Sequence, residues 1–246
     1  MTELGSVAHR DNRLRNLIAY LVLIGCLASV HFVLAANPEA ARSAAQAAVF
    51  TWMSLGIIAG AGLFGLFFLN LTPLRGLWDE DLGVGAKLAV PAVVGVLIAL
   101  ASIVADRVTG WSHLVAAVMH LPSIHIAFPL SMPIYFGGAI LVSIIYFLVL
   151  LPFLYWLIAV RWRKGHEEAM IYWLIALPLA LVEPLTQGDF QPVGGSWAIS
   201  LPIAACDVAL NVGQVWFLRR AGLIAAIALR VGYYAVWHVI YGLVAA

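Results

Sequence analysis

The stretch PIYFGGAILVSIIYFLVLLPFLYWLIAV, at positions 133–160, continues for the full length of a membrane-crossing helix without a single charged side chain. A helix of about 20 mostly apolar residues crosses the hydrocarbon core of a bilayer. In lipid the backbone polar groups must be satisfied within the segment, so such a stretch is helical. We therefore predict a transmembrane helix here, tilted or kinked near Pro152.

The rest of the chain has the same apolar character. Of its 246 residues, 64% are hydrophobic and 10% are charged, and the net charge is +1. Soluble domains have about 25% charged residues, so a soluble fold is excluded. A disordered chain is excluded too, because disorder requires low hydrophobicity and high net charge. No basic stripe is present to neutralise phosphates, so we expect no nucleic-acid partner.

Six further segments are long and apolar enough to span a membrane: Leu17–Ala36, Ala47–Leu69, Leu88–Ala105, Ala169–Leu185, Ser196–Leu218 and Ala221–Ala245. The predicted fold class is therefore all-α, a polytopic integral membrane bundle of about seven transmembrane helices. We expect one transmembrane domain over residues 1–246. It would comprise a three-span part at 1–132 and a four-span core at 133–246.

Basic residues predict the orientation of these helices. Ten of the thirteen lie before the first span or in the loops after the second, fourth and sixth spans: Arg10, Arg13, Arg15, Arg75, Lys87, Arg161, Arg163, Lys164, Arg219 and Arg220. The other side has only Arg42 and Arg107. Cytoplasmic loops carry the excess of Lys and Arg, so we predict a cytoplasmic N-terminus. The expected location is the cytoplasmic (inner) membrane of a bacterium.

The first apolar segment has a second interpretation. Basic residues before an apolar run are typical of a secretory signal, with cleavage near Ala35, and Cys26 ends a lipobox-like sequence. We favour a retained first helix, because the run is long for a signal peptide. Cys26 and Cys206 both lie in predicted spans, and we expect buried apolar side chains rather than a disulfide or metal pair.

The external stretch from Asp106 to Met132 is predicted to contain a short interfacial helix, because apolar residues from Trp111 onward recur at helical spacing. It also holds His113, His120 and His125. Imidazole is a common metal ligand, but the spacing matches no tight ligand pattern. We expect interfacial histidines that contact headgroups, and we predict no metal site.

Five ionisable residues lie inside predicted spans, where such groups mark function or pairing. Depths at about 1.5 Å per residue place them in two layers. Asp207 and Arg230 fall near the midplane, and we predict a structural ion pair between them. Glu183 and His238 fall in an outer layer, with His31 at a similar height. Asn211 and Tyr234 lie one turn from Asp207 and Arg230 on the same helix faces.

Glu183 and His238 are the predicted catalytic residues. A poorly solvated carboxylate can act as a general acid or base, and a neighbouring imidazole can position water. The alternative is that Glu183, which precedes Pro184 near a helix end, is an interfacial group that contacts headgroups.

Two segments resemble a known family. ALPLALVEPLTQG (176–188) is similar to the first motif of the CAAX-protease and bacteriocin-processing family of intramembrane proteases, which has two glutamates, three residues and an arginine. WFLRRAGLIAAIALR (216–230) is similar to the stretch that leads into the helix with the family's catalytic histidine. The resemblance implies that Glu183 is the first glutamate, with Pro184 in place of the second glutamate. It assigns Gln187 to the arginine, one residue short of the family spacing. Arg230 stands in place of the histidine.

These departures imply a homologue that is degenerate at its catalytic motifs. If it is active, we expect an intramembrane endopeptidase that uses Glu183, with His238 compensating through a different geometry. The alternative is a non-catalytic structural or regulatory subunit of a membrane protein complex, with lipid and other membrane subunits as partners. A transporter, or a haem protein that uses His31 and His238, is the third possibility. The sequence identifies no cofactor.

Overall fold

The computed structural model describes residues 3–38, 45–78, 82–164, 168–187 and 191–245, without the side chains of residues 3–11, 45, 46 and 187. Within these ranges the elements are helical. A 3₁₀ helix at Ala45–Phe50 precedes the second span. The helices are α1 (Glu3–Ala36), α2 (Trp52–Leu69), α3 (Gly85–Thr109), α4 (Trp111–Val118), α5 (Ser131–Trp162), α6 (Glu168–Gln187), α7 (Trp197–Ala221) and α8 (Leu223–Ala245).

All helices except α4 are long and apolar enough to cross a membrane, which confirms an all-α polytopic bundle with seven candidate spans in the described part of the chain. The predicted bounds agree with these helices to within a few residues in the middle of the chain. The first helix differs most, because α1 begins at Glu3, well before its apolar portion starts at Asn12. A helix can begin several residues before its membrane-spanning portion begins.

The helices α3 and α7 pack closely against the last span, α8, and against each other. Ala99 on α3, Leu210 on α7 and Leu229 on α8 belong to one buried apolar cluster. A larger cluster joins α1, α2, α5 and α6. Since α3 packs against the two C-terminal spans, contacts cross the boundary that the sequence suggests at residue 132.

Helix α5 changes geometry on both sides of Pro152. It is π-helical at Ile144–Leu150 and again at Trp156–Trp162, and α-helical in between. Proline has no N–H to donate to the carbonyl four residues earlier, which here belongs to Leu148. Gly65 of α2 packs directly against that carbonyl, because it has no Cβ to hold the helices apart.

The predicted short helix in the stretch 106–132 is confirmed as α4. It begins after Gly110, whose φ of 68° places it in the left-handed region. Asp106, which is 2% exposed, accepts hydrogen bonds from the Ser112 backbone N at 2.7 Å and the Ser112 Oγ at 2.8 Å. The Asp106 carboxylate thereby satisfies a backbone donor in the first turn of α4.

The two cysteines differ from the expectation that both are buried. Cys26 is exposed on α1 and Cys206 is half-buried on α7. The expectation for Cys26 fails because its face of α1 is not covered by another described part of the chain, and an exposed cysteine suits lipid as well as a buried one does. No disulfide joins them.

Candidate functional site

Arg230 of α8 forms the central ion pair of the bundle with Glu183 of α6. The Nη1 atom donates to Glu183 Oε1 at 2.5 Å, and Nη2 donates to Oε2 of the same carboxylate. Both residues are buried, with 1% of Arg230 and 5% of Glu183 exposed. Two parallel hydrogen bonds of this kind are the strongest form of the Arg–carboxylate contact.

This pairing differs from the two that the sequence suggests. The Arg230 guanidinium binds Glu183, whereas the sequence suggests an ion pair of Arg230 with Asp207 and a pairing of Glu183 with His238. Depth along a helix describes backbone positions, whereas the long arginine side chain extends from the midplane layer into the outer layer. The two predicted layers are thus bridged by one side chain.

Three further acceptors complete the environment of Arg230. Nη1 also donates to Tyr234 Oη at 2.9 Å, and Nη2 donates to Asn211 Oδ1 at 2.7 Å. Nε donates to Gln214 Oε1 at 2.8 Å. A guanidinium has five N–H donors, and each of them has an acceptor here.

Gln214 belongs to the same network and is not among the predicted site residues. It is fully buried on α7, three residues after Asn211, so both amides lie on one helix face. Its Nε2 donates to the Ala226 carbonyl at 3.1 Å and is 3.5 Å from Ser143 Oγ on α5. An amide near the middle of an apolar helix is the signal that identifies it.

Asp207 belongs to a neighbouring contact with α3. Its Oδ1 accepts a hydrogen bond from Tyr233 Oη at 3.1 Å, and that hydroxyl is 3.2 Å from Ser102 Oγ. Its backbone carbonyl accepts from Asn211 Nδ2 at 3.0 Å. Asp207 therefore joins α7 to α8 and α3, next to the arginine network.

His238 lies among aromatic rings in the C-terminal half of α8. Its Nδ1 is 3.3 Å from the Nδ1 of His125, and its ring stacks on Tyr135 with centroids 4.0 Å apart. His125 is only 7% exposed, which corrects its assignment as a headgroup contact. Burial lowers the pKa of His125 to about 4, partly opposed by the Asp106 carboxylate, which raises it. His113 and His120 are exposed, as expected of interfacial residues.

The remaining predicted residues lie elsewhere. A ring nitrogen of His31 is 2.7 Å from the Phe50 carbonyl, and its ring packs against Trp52. His31 therefore binds the segment before α2 and does not join the Glu183 cluster. The side chain of Gln187 is outside the described residues. Among those that are described, no group of three His, Cys, Asp or Glu side chains is arranged to hold a metal ion.

A cavity of about 90 Å³ adjoins the network. Six of the predicted site residues line it, although their pairings differ from those expected: Glu183, Asp207, Asn211, Arg230, Tyr234 and His238. Both oxygens of Glu183 accept hydrogen bonds from a buried cation, so the carboxylate acts here as a counter-ion. The arrangement suits a fixed structural ion pair better than a base that must take up a proton.

No family model, no curated protein and no solved structure matches this chain. The similarity to the CAAX-protease and bacteriocin-processing family therefore stays a prediction.

Proposed function

We propose that this multi-pass membrane protein is a non-catalytic structural or regulatory subunit of a membrane protein complex. The observation that carries the proposal is the buried ion pair of Glu183 and Arg230. Both Glu183 oxygens accept hydrogen bonds from the guanidinium, and every N–H donor of Arg230 is occupied. If Glu183 gave up its charge as a general base, this buried guanidinium would lose its counter-ion, which is costly.

A helix face that the described part of the chain leaves open supports the subunit role. Gly56 and Gly60 are exposed on α2, one helical turn apart, and no atom of the described residues lies within 4 Å of where a Cβ would be. Glycines four apart allow the backbones of two membrane helices to approach closely. Gly62 and Gly65, on the opposite face of α2, already make this use of glycine within the chain, against Tyr20 and α5.

Native isolation tests the proposal. The protein is extracted from its own membrane in a mild detergent, and we expect at least one membrane protein to copurify in a fixed ratio. Gly56→Ile with Gly60→Ile should release that partner, because the added side chains block close helix approach. Gly138→Ile on α5 is the matched control, since no atom of the described residues lies within 4 Å of where a Cβ at Gly138 would be. A lone monomer, or release by the control alone, contradicts the proposal.

Intramembrane proteolysis is the second candidate, and one observation favours it. Glu183, Asp207 and His238 line a single cavity, so two carboxylates and an imidazole converge as a hydrolytic site requires. The test compares wild-type protein with Glu183→Gln on a panel of membrane-spanning peptides. Cleavage that is lost in the variant would favour this second candidate over the subunit role. No cleavage by either protein would argue against it.

A further inference from the structure

Two adjoining cavities open at the end of the bundle that holds most of the basic residues. Their volumes are about 310 and 800 Å³, and both are lined by Arg75, Ala169 and Arg219. The larger one is also lined by Arg220 and Trp216. We call this combined space, between the loop after α2 and the ends of α6 and α7, the basic groove.

Aromatic rings hold two of these arginines in place. The guanidinium carbon of Arg219 lies 5.0 Å from the centre of the Tyr172 ring, and that of Arg220 lies 4.6 Å from the centre of the Trp216 ring. A guanidinium that stacks on a ring uses its flat face for the contact and keeps its N–H donors in its plane. One such donor, on Arg219 Nη1, is 3.4 Å from the Ala169 carbonyl.

The described charges that line the basic groove are mainly positive. Arg75, Arg219 and Arg220 are accompanied by Glu168, which lines the smaller cavity. Within the described ranges, no carboxylate forms an ion pair with Arg219 or Arg220. Arginines whose guanidinium groups lie over aromatic rings can still donate from their N–H groups to the oxygens of a phosphate group.

The inner wall of the smaller cavity is apolar. It includes Leu69, Phe147, Leu151 and Leu218, which lie between α2, α5 and α7. A ligand that fits both parts of the groove has an anionic phosphate at one end and a hydrocarbon chain at the other. Basic pockets between membrane helices on the cytoplasmic side bind the headgroups of anionic lipids, and the predicted orientation places this end of the bundle on that side.

We propose that the basic groove binds the phosphate group of an anionic phospholipid, with Arg219 and Arg220 as donors and an acyl chain against the apolar wall. This site is separate from the Glu183–Arg230 network. Its ligand is a lipid, so it does not depend on whether a protein partner copurifies.

Native mass spectrometry of the full chain in a mild non-ionic detergent tests the site. The protein is titrated with dioctanoyl phosphatidylglycerol, and in parallel with dioctanoyl phosphatidylcholine. We expect phosphatidylglycerol to bind about tenfold more tightly, because its headgroup is anionic. Arg219→Gln with Arg220→Gln should weaken phosphatidylglycerol binding about tenfold and leave phosphatidylcholine binding unchanged.

A matched variant distinguishes lipid binding in the basic groove from attraction to general positive charge on the surface. Arg161→Gln with Lys164→Gln removes two exposed positive charges that do not line the groove, and it should bind as wild type does. Equal loss in both double variants overturns the proposal, as does equal affinity of wild type for the two lipids. Inorganic phosphate that displaces phosphatidylglycerol at equal concentration also overturns it, in favour of a site for free phosphate.

A conservative variant covers the case in which the glutamine variant does not fold. Arg219→Lys with Arg220→Lys keeps both charges but loses the planar donors and their stacking. We expect phosphatidylglycerol binding weakened several-fold. Unchanged affinity in this folded variant would contradict the role of the guanidinium groups.

Discussion

Arg230 is a charged residue in the interior of a membrane bundle, and five neighbouring acceptors make that position possible. Replacing it with Met leaves the Glu183 carboxylate buried beside neutral groups. We expect the free energy of unfolding to fall by about 3–5 kcal/mol. The measurement is thermal or denaturant unfolding of the purified protein in detergent. Glu183→Gln combined with Arg230→Met removes both charges and should be more stable than Arg230→Met alone.

Asp207→Asn is the control for that experiment. Asp207 accepts a hydrogen bond from Tyr233, and an amide oxygen at the same place can still accept it. The expected loss is about 1 kcal/mol or less. A loss as large as that of Arg230→Met would mean that Asp207, rather than Glu183, is the counter-ion on which the bundle depends.

His125 makes stability depend on pH. Its pKa in the folded protein is about 4, below its ordinary value of 6.5, because burial disfavours the charged ring. The unfolded chain therefore binds the proton more readily between pH 4 and 6.5. Stability is full above pH 6.5 and falls by up to about 3 kcal/mol as the pH drops toward 4. Unfolding temperatures across this range measure the effect.

Two histidine variants isolate this effect. His125→Gln should flatten the curve between pH 4 and 6.5, whereas His113→Gln, at an exposed position, should leave it as in wild type. If His125→Gln keeps the full pH dependence, other groups account for it.

At the scale of helices, α3 and α8 approach so closely that their backbones touch. A Cβ at Gly95 would meet the Leu229 carbonyl oxygen and would lie 2.8 Å from the Tyr233 backbone N. Backbone atoms of a packed helix cannot move aside as a flexible side chain can. Gly95→Ala should therefore cost about 1–3 kcal/mol by forcing the helices apart.

Gly138→Ala provides the comparison for Gly95→Ala. No atom lies within 4 Å of where its Cβ would be, so the substitution should be neutral or stabilise α5 by up to about 1 kcal/mol. Unfolding in detergent distinguishes the two variants. Equal effects would mean that helix propensity, rather than the close approach of α3 and α8, decides the outcome.

At the scale of the molecule, the sequence predicts the seven spans well and the side-chain pairings poorly. Long apolar runs identify helices because lipid leaves the backbone no other way to satisfy its polar groups. Depth along a helix follows from residue number. It places Asp207 and Arg230 in one layer and Glu183 and His238 in another, whereas in the structure all four line one cavity. Pairing depends on how each helix rotates and how far each side chain reaches. Neither is readable from depth, so the sequence does not show that Glu183 pairs with Arg230 or that Gln214 joins them.

Orientation is a property of the whole chain, and it can be tested at two loops. One span, α5, lies between Ser123 and Lys164, so these two residues should lie on opposite sides of the membrane. In a chain whose native Cys26 and Cys206 are replaced by Ser, we expect an impermeant thiol reagent to label Ser123→Cys in intact cells. Lys164→Cys should react only after the membrane is opened, because Arg161, Arg163 and Lys164 favour the cytoplasm. The reverse pattern would invert the bundle and place the basic groove on the external side, where the attraction to anionic cytoplasmic lipids is lost.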